Sequence, residues 1–261
     1  MTAPVLSRIE IFPIKSLDGL VLDQAELLPS GALKGDRQYA ILDAQGRFVN
    51  GKATPLVHRL RTTFSADLTT VTLQVQDTNQ RETFALLPHR TELEAWLSNF
   101  FQQSVTVTEN TNTGFPDDLN APGPTLISTA TLATVASWFP ELTIAEMRRR
   151  FRTNLEIDHT PPFWEEQLYG EPDCDVVFEI GQARFAGVNP CQRCIVPTRD
   201  SQDGTSTPTF QQEFVRNRAA VLPDWAPRSR FNHFYKLALN SRALMDGQAV
   251  RIQVGDPLTC Q

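Results

Sequence analysis

Through the first hundred residues, apolar positions alternate with polar ones in short runs punctuated by turn residues. SRIEIFPIK (7–15), LVLDQAELL (20–28), RQYAILD (37–43), LRTTFSA (60–66) and VTLQVQ (71–76) each have the period of a half-buried strand. GALKGD (31–36) and DAQGR (43–47) supply turns, and the second reads as a hairpin that returns through RFVNG (47–51). The period then changes. In TELEAWLSNFF (91–101) the apolar residues Leu93, Trp96, Leu97, Phe100 and Phe101 fall on one helical face, with Thr91 as N-cap and Glu94 completing a capping box.

GFPDDLNAPGP (114–124) is rich in Asn, Asp, Pro and Gly and marks the best boundary, dividing the chain into 1–113 and 114–261. Beyond it, STATLATVASWF (128–139) predicts a helix capped by Ser128 or Thr129, and TIAEMRRRF (143–151) predicts a second. Strands return at NLEI (154–157), DVVFEIG (175–181) and ARFAGV (183–188), followed by a helix at TFQQEFVRNRA (209–219) and strands at FYKLALN (234–240) and AVRIQVG (249–255). Strands and helices do not alternate regularly, which disfavours a doubly wound parallel sheet. The pattern predicts an α+β, mostly β architecture that is largely antiparallel or barrel-like.

Composition adds limits. At 261 residues with 41% hydrophobic content the chain can bury a core without covalent staples. A net charge of −6 argues against a nucleic-acid surface. The N-terminus lacks a signal-peptide core, and no run reaches the ~18 apolar residues of a membrane span, so the expectation is a cytoplasmic protein with no membrane partner. Cys174, Cys191, Cys194 and Cys260 are too few for a disulfide scaffold.

Two of those cysteines lie in NPCQRCIVPTRD (189–200). As a redox dithiol, the first would need a helix N-terminus, whereas IVP after the pair disfavours a continuing helix. As half a zinc site the pair would need two further ligands; the other cysteines are isolated, and His58, His89, His159 and His233 show no paired spacing. Burial as two small hydrophobes is the plain alternative. A fourth reading needs a single cysteine: a thiolate ligand to a transition metal carried by an organic cofactor, with the adjacent Arg193 favouring the ionised sulfur.

RCIVPTRD (193–200) resembles the molybdenum-cofactor segment of MOSC-domain proteins, the group of the mitochondrial amidoxime-reducing components, the C-terminal domain of the cofactor sulfurases and bacterial reductases of N-hydroxylated bases. IFPIKSLDGL (11–20) and KGDRQYAILD (34–43) resemble the N-terminal β-barrel domain, MOSC-N, that precedes it in such proteins. GFPDDLNAPGPTLIST (114–129), FRTNLEID (151–158) and VGDPL (254–258) resemble successive parts of the MOSC domain. The resemblance implies a MOSC β-barrel packed against a second β-rich domain.

It also implies Cys194 as the catalytic residue and direct ligand of the metal in the molybdenum cofactor (Mo-molybdopterin). Lys15, Ser16, Arg37, Arg152 and Asn154 match positions that line the cofactor, while Arg193, Ser128 and Thr129 are candidates beside them. Cys191 becomes a packing neighbour. Lys52 stands near where relatives place an arginine, and Thr198 and Asp200 match a Thr-x-Asp, for which a turn-forming role of Asp200 is an equal reading. Arg148, Arg149 and Arg150 face different directions on a helix and are expected to be mostly solvated.

The implied activity is a molybdenum-dependent reduction of a small-molecule N-hydroxylated substrate. No cysteine run is available for an iron–sulfur cluster, so electrons are expected from a separate partner, a ferredoxin-like protein or a flavin or heme reductase. At the level of the whole family the resemblance also implies pyridoxal phosphate binding. The alternative is a non-catalytic carrier of the cofactor or of a sulfur atom on Cys194; a zinc-binding or purely structural domain is a further rival.

Overall fold

The computed structural model describes residues 3–86, 90–247 and 249–260; His89 lies outside them. In chain order the elements are β1 (Val5–Ile11), β2 (Leu20–Leu22), β3 (Gln24–Leu27), β4 (Tyr39–Asp43), β5 (Leu60–Phe64), β6 (Thr70–Val75), β7 (Arg81–Ala85), α1 (Thr91–Phe101), β8 (Val105–Glu109), β9 (Thr125–Ser128), α2 (Thr129–Ser137), α3 (Ile144–Phe151), β10 (Leu155–Asp158), β11 (Val176–Ile180), β12 (Ala183–Gln192), α4 (Phe210–Ala220), β13 (Lys236–Ala243), β14 (Val250–Gln253) and β15 (Leu258–Cys260). The protein is mostly β, as the alternation predicts.

An eight-stranded sheet runs in the order β15-β11-β12-β13-β9-β10-β1-β2, antiparallel except for the β9–β10 pair. Its far side comes round to its start. Val5 bridges Pro257, and the Leu6 and Leu258 amides donate to the Asp256 and Pro4 carbonyls at 2.9 Å, so β1 lies beside the chain entering β15 and a barrel closes. Closure removes exposed sheet edges. The N-terminal strands are shared between the two halves: β1 pairs with β10, and β3 with β14. The remaining strands of the first half form the β4–β8 pair and the β5-β6-β7 meander.

Three apolar clusters correspond to these layers. One fills the barrel around Leu6, Ile9, Leu126, Phe178 and Phe185; a second packs α1 on the β5-β6-β7 meander and the β4–β8 pair; a third holds α2, α3 and α4 through Phe139, Phe151, Phe210 and Phe214. The hairpin at 43–47 forms, with Asp43 and Arg47 exchanging a turn hydrogen bond and Leu42 bridging Phe48.

Some local readings are corrected. Thr91 does not cap α1: Arg90 occupies that position without a side-chain cap bond, and Glu94 is taken by the Val107 amide of β8 at 2.8 Å. An unmet edge amide competes with the helix terminus for the same carboxylate and wins. β12 continues beyond ARFAGV to Gln192, with irregularities at Gly187/Asn189 and Pro190/Gln192. Such breaks accommodate a proline in a strand and redirect the residues beyond it. Gly187 is required there, because a Cβ would stand 1.7 Å from the Leu168 carbonyl oxygen.

Of the arginine triplet Arg149 is exposed as expected, Arg148 is half-buried and Arg150 is buried, and all three are paired. Arg148 forks onto Glu156 at 2.7 and 2.9 Å, Arg149 reaches Ser201 at 2.9 Å and pairs with Glu146, and Arg150, 2% exposed, binds Glu146 at 2.7 Å. Acidic residues from three segments gather round one short helix, so its different faces all find partners. Asp200 caps the next turn, accepting the Gln202 amide at 2.8 Å, and faces Arg150.

A buried polar knot sits where the 3₁₀ turn Trp164–Leu168 meets α4: Glu165, Glu166, Tyr169 and Arg218 are each at most 2% exposed. Burial, reinforced by Glu166, pushes the Glu165 carboxyl up to about 8. The native protein therefore keeps a proton that the unfolded chain releases near the ordinary carboxyl value of about 4.3. Where the native state binds more protons, stability falls as pH rises, here between about 4.3 and 8. Glu165→Gln removes that dependence. Urea midpoints measured at pH 5 and pH 8 should show the variant gaining on the wild type at the higher pH by a few kcal/mol; parallel midpoints would disprove a protonated Glu165.

Candidate functional site

The barrel mouth, the first-half meander and α3 enclose a cavity of about 1200 Å³. Four separate stretches of sequence deliver its polar wall: Lys15 and Ser16 after β1, Arg37 before β4, Arg152 and Asn154 between α3 and β10, and Arg193 and Cys194 after β12. All seven of these predicted residues line it, as do Cys191 and Lys52. Ser128 and Thr129 are not on its wall. Ser128 is fully buried and caps α2 through the Ala130 and Thr131 amides at 3.1 and 3.4 Å, while Thr160 donates to its hydroxyl at 2.9 Å. The helix terminus is thus satisfied internally rather than offered to an anion.

Three of the wall residues hold left-handed backbone: Ser16 at φ 77°, Arg37 at 48° and Arg152 at 53°. Non-glycine residues there carry strain of about 1–3 kcal/mol each, which persists where the surroundings fix it. For Arg152 the cause is visible. It ends α3, its amide donating to the Arg148 carbonyl at 2.8 Å, and the turn swings its guanidinium over the Phe12 ring at 4.1 Å.

Arg37 approaches the same ring at 5.3 Å, bonds Asp36 closely and reaches Asn154 Oδ1 at 3.4 Å. Asp36 also accepts the Phe12 amide at 2.8 Å, so one carboxylate sets both the ring and the guanidinium. Asn154 joins the layers: its Oδ1 accepts from the Thr125 amide at 3.1 Å and its Nδ2 donates to the Glu10 carbonyl at 3.0 Å.

The wall is strongly cationic, and most of its cations are already paired. Lys15 donates to Asp117 at 2.7 Å and to the Phe115 carbonyl at 2.8 Å, tying the 114–124 loop across the cavity. Burial lowers its pKa, opposed by Asp117 and assisted by Arg37 and Lys52. Arg152 differs. Its guanidinium has no hydrogen-bond or ion-pair partner among the described residues, and burial together with Arg37 pulls its pKa down to about 10. It remains charged at neutral pH, half-buried and favoured only through space by Asp18, Glu10 and Asp117, so an anionic ligand in the cavity would find its guanidinium uncommitted.

The two cysteines are in different states. Cys191 is 4% exposed, its Sγ donates to Asn240 Oδ1 at 2.5 Å, and burial, opposed by Arg193, pushes its thiol up to about 11. Cys194 is half-buried in the turn that follows the strand, just before the single 3₁₀ turn Val196–Thr198. The Arg193 amide bonds the Tyr235 carbonyl at 3.0 Å, and its guanidinium bonds the Phe151 carbonyl closely, which pins the turn to the wall.

Sequence reasoning overlooked several wall residues: Asp36, Asp117, His58, Arg230 and Lys236. Asp36 is adjacent to Arg37 in KGDRQYAILD, and Asp117 lies in the polar loop; both were legible as neighbours. His58 gave no signal. Burial, with Arg152, Arg199 and Arg61 nearby, holds its imidazole neutral with a pKa of about 4. No group of three or more His, Cys, Asp or Glu side chains among the described residues is arranged to hold a metal ion, so a metal here would need ligands from a cofactor. No helix among the described residues is long and apolar enough to cross a membrane.

A family model described as the MOSC N-terminal beta barrel domain matches residues 3–111, and one described as the MOSC domain matches residues 125–259. No curated protein matches the chain. Among solved structures, YiiM from Geobacillus stearothermophilus is 13% identical over 53% of this chain and 54% of that chain, with a TM-score of 0.34. A second, described only as a hypothetical protein, is 14% identical over 55% and 54%, with a TM-score of 0.34. The chain thus spans about half the length of each.

Proposed function

This chain belongs to the MOSC domain family, with a MOSC N-terminal β-barrel domain ahead of the MOSC domain, and from that premise we propose that it is a molybdenum-cofactor-dependent reductase of N-hydroxylated small molecules. The observation that carries the reading is the Arg152 guanidinium, half-buried over the Phe12 ring near Arg37 and without a hydrogen-bond or ion-pair partner among the described residues, in a cavity that also holds Cys194. A pterin phosphate is the anion such a group lacks.

The residues fit the cofactor. Arg152, with Lys15, Ser16 and Arg37, would hold its phosphate and polar edge; Cys194 would hold its metal through the soft sulfur donor. When bound, the cofactor supplies a metal that accepts oxygen and exchanges two electrons. The chain's own residues bind, orient and exclude water. The overall reaction is balanced: the substrate's N–O bond breaks, two electrons and two protons enter, and the dehydroxylated nitrogen compound and one water leave. With four cysteines and no cluster of them, the chain takes those electrons from a separate redox protein.

Protein purified from a host that makes the cofactor, or reconstituted with it, should contain about one molybdenum per chain and reduce benzamidoxime with an artificial electron donor. Full metal loading without turnover would refute the reductase. A persulfide on Cys194 by mass spectrometry, with no metal, would instead establish the sulfur carrier.

A further inference from the structure

The cations of the cavity form two groups. Lys15, Lys52, Arg37 and Arg152 influence one another's ionisation and make up the first. The second, Arg230 and Lys236, lies on the barrel side. Lys236 opens β13 opposite Gln192, two residues before Cys194, and both line the cavity.

This second group is built rather than incidental. Arg230 is locked by three backbone carbonyls, donating to Gly170 at 2.8 Å and to Glu171 and Val188 at 3.0 Å each. The Lys236 ammonium donates closely to the carbonyl of Arg230 itself. Neither has a carboxylate within ion-pair distance among the described residues. The Glu171 carboxylate is engaged by Ser229, and Asp118, an acidic wall residue from the 114–124 loop, accepts from Asn240 at 3.3 Å. Burial and Arg230 both weigh against the Lys236 charge. Two adjacent cations held by neutral acceptors repel each other, and a dianion between them would relieve that cost.

The first group already accounts for one phosphate, that of the cofactor. At about 1200 Å³ the cavity also exceeds the ~300–1000 Å³ usual for one small ligand. We infer that Arg230 and Lys236 form a subsite for a phosphate carried by the substrate, so that the protein takes N-hydroxylated nucleotides in preference to the free bases or nucleosides. This rests on the reductase reading for the N-hydroxylated part and for giving the first group to the cofactor, and on the wall geometry for the anion site itself.

The test uses cofactor-loaded full-length protein and two probes that cannot react, cytidine 5′-monophosphate and cytidine, titrated calorimetrically, with molybdenum measured on the same samples. The monophosphate should bind at least about tenfold more tightly than cytidine, the worth of one charge-assisted contact. Lys236→Gln should remove that advantage, leave cytidine binding and molybdenum content unchanged, and Lys236→Arg should restore most of it. In turnover, the same variant should raise KM for N-hydroxycytidine 5′-monophosphate by about tenfold and leave that for N-hydroxycytidine unaltered. Equal binding of the two probes, equal weakening of both in Lys236→Gln, or loss of molybdenum from that variant would overturn the subsite, the last by assigning the pair to the cofactor. Should the wild type take up no cofactor, the reductase reading fails, while Lys236-dependent binding of the monophosphate still upholds the subsite.

Discussion

Cys194→Ser should empty the protein of molybdenum, while Cys191→Ser should leave most of it in place. The two sulfurs are three residues apart, yet the fold gives them different chemistry. Cys191 still belongs to β12, where its Sγ is spent on Asn240 and its thiol is held protonated by burial. A protonated, hydrogen-bonded thiol is not a metal ligand at neutral pH. Cys194 follows the irregularity at Pro190/Gln192, which ends the strand and turns the chain along the cavity wall beside Arg193. A serine there keeps the shape and loses the soft donor. Metal content by mass spectrometry of purified protein should drop by more than the ~10–100-fold typical of partners one step removed from a metal. Cys191→Ser should cost at most that range, since the hydroxyl can still donate to Asn240. Equal losses from both variants would mean the cysteines act as a pair.

The difference between the cysteines was legible in the sequence only through resemblance. Spacing alone left a dithiol, a zinc half-site and two buried thiols open, because C-x-x-C says nothing about whether a strand continues through its first member. The fold class followed from alternation, since period-two runs with turn residues between them have few other solutions. Local pattern could not show that Lys15, Arg37, Arg152 and Cys194 converge: each is a lone cation or thiol in its own segment, and convergence depends on β1 pairing with β10 across more than a hundred residues. β8 was missed because only Val105 and Val107 of VTVTE are buried, too short an alternation to stand out from the turns around it. Ser128 was assigned to the cavity because a helix terminus binds anions in general; here Thr160 and the helix amides use the same hydroxyl.

Arg218→Ala should be among the most damaging single substitutions outside the cavity. TFQQEFVRNRA reads as a helix, and in the structure Phe210, Phe214 and Arg218 recur at four-residue steps along one face, all three at most 1% exposed. The guanidinium lies between the rings of Phe163 at 4.2 Å and Phe231 at 5.0 Å and bonds Glu166 closely. Removing it leaves a carboxylate buried beside Glu165 and Tyr169 with no counter-charge, and breaking a buried pair from one side costs about 3–5 kcal/mol. Against a total stability of ~5–15 kcal/mol that is a large fraction, and it corresponds to a fall in Tm on the order of 10 °C. Burial raises the Glu166 pKa while Arg218 opposes that rise, so loss of the arginine also drives Glu166 toward its protonated form. The Arg218→Ala penalty should consequently shrink as pH is lowered from 8 to 5. Arg218→Met with Glu166→Gln, which removes both charges and keeps the volume, should recover most of the stability. Thermal unfolding of the three variants at both pH values separates the charge effect from lost packing: a penalty independent of pH and undiminished in the double variant would place the whole cost in the arginine stem and its two rings.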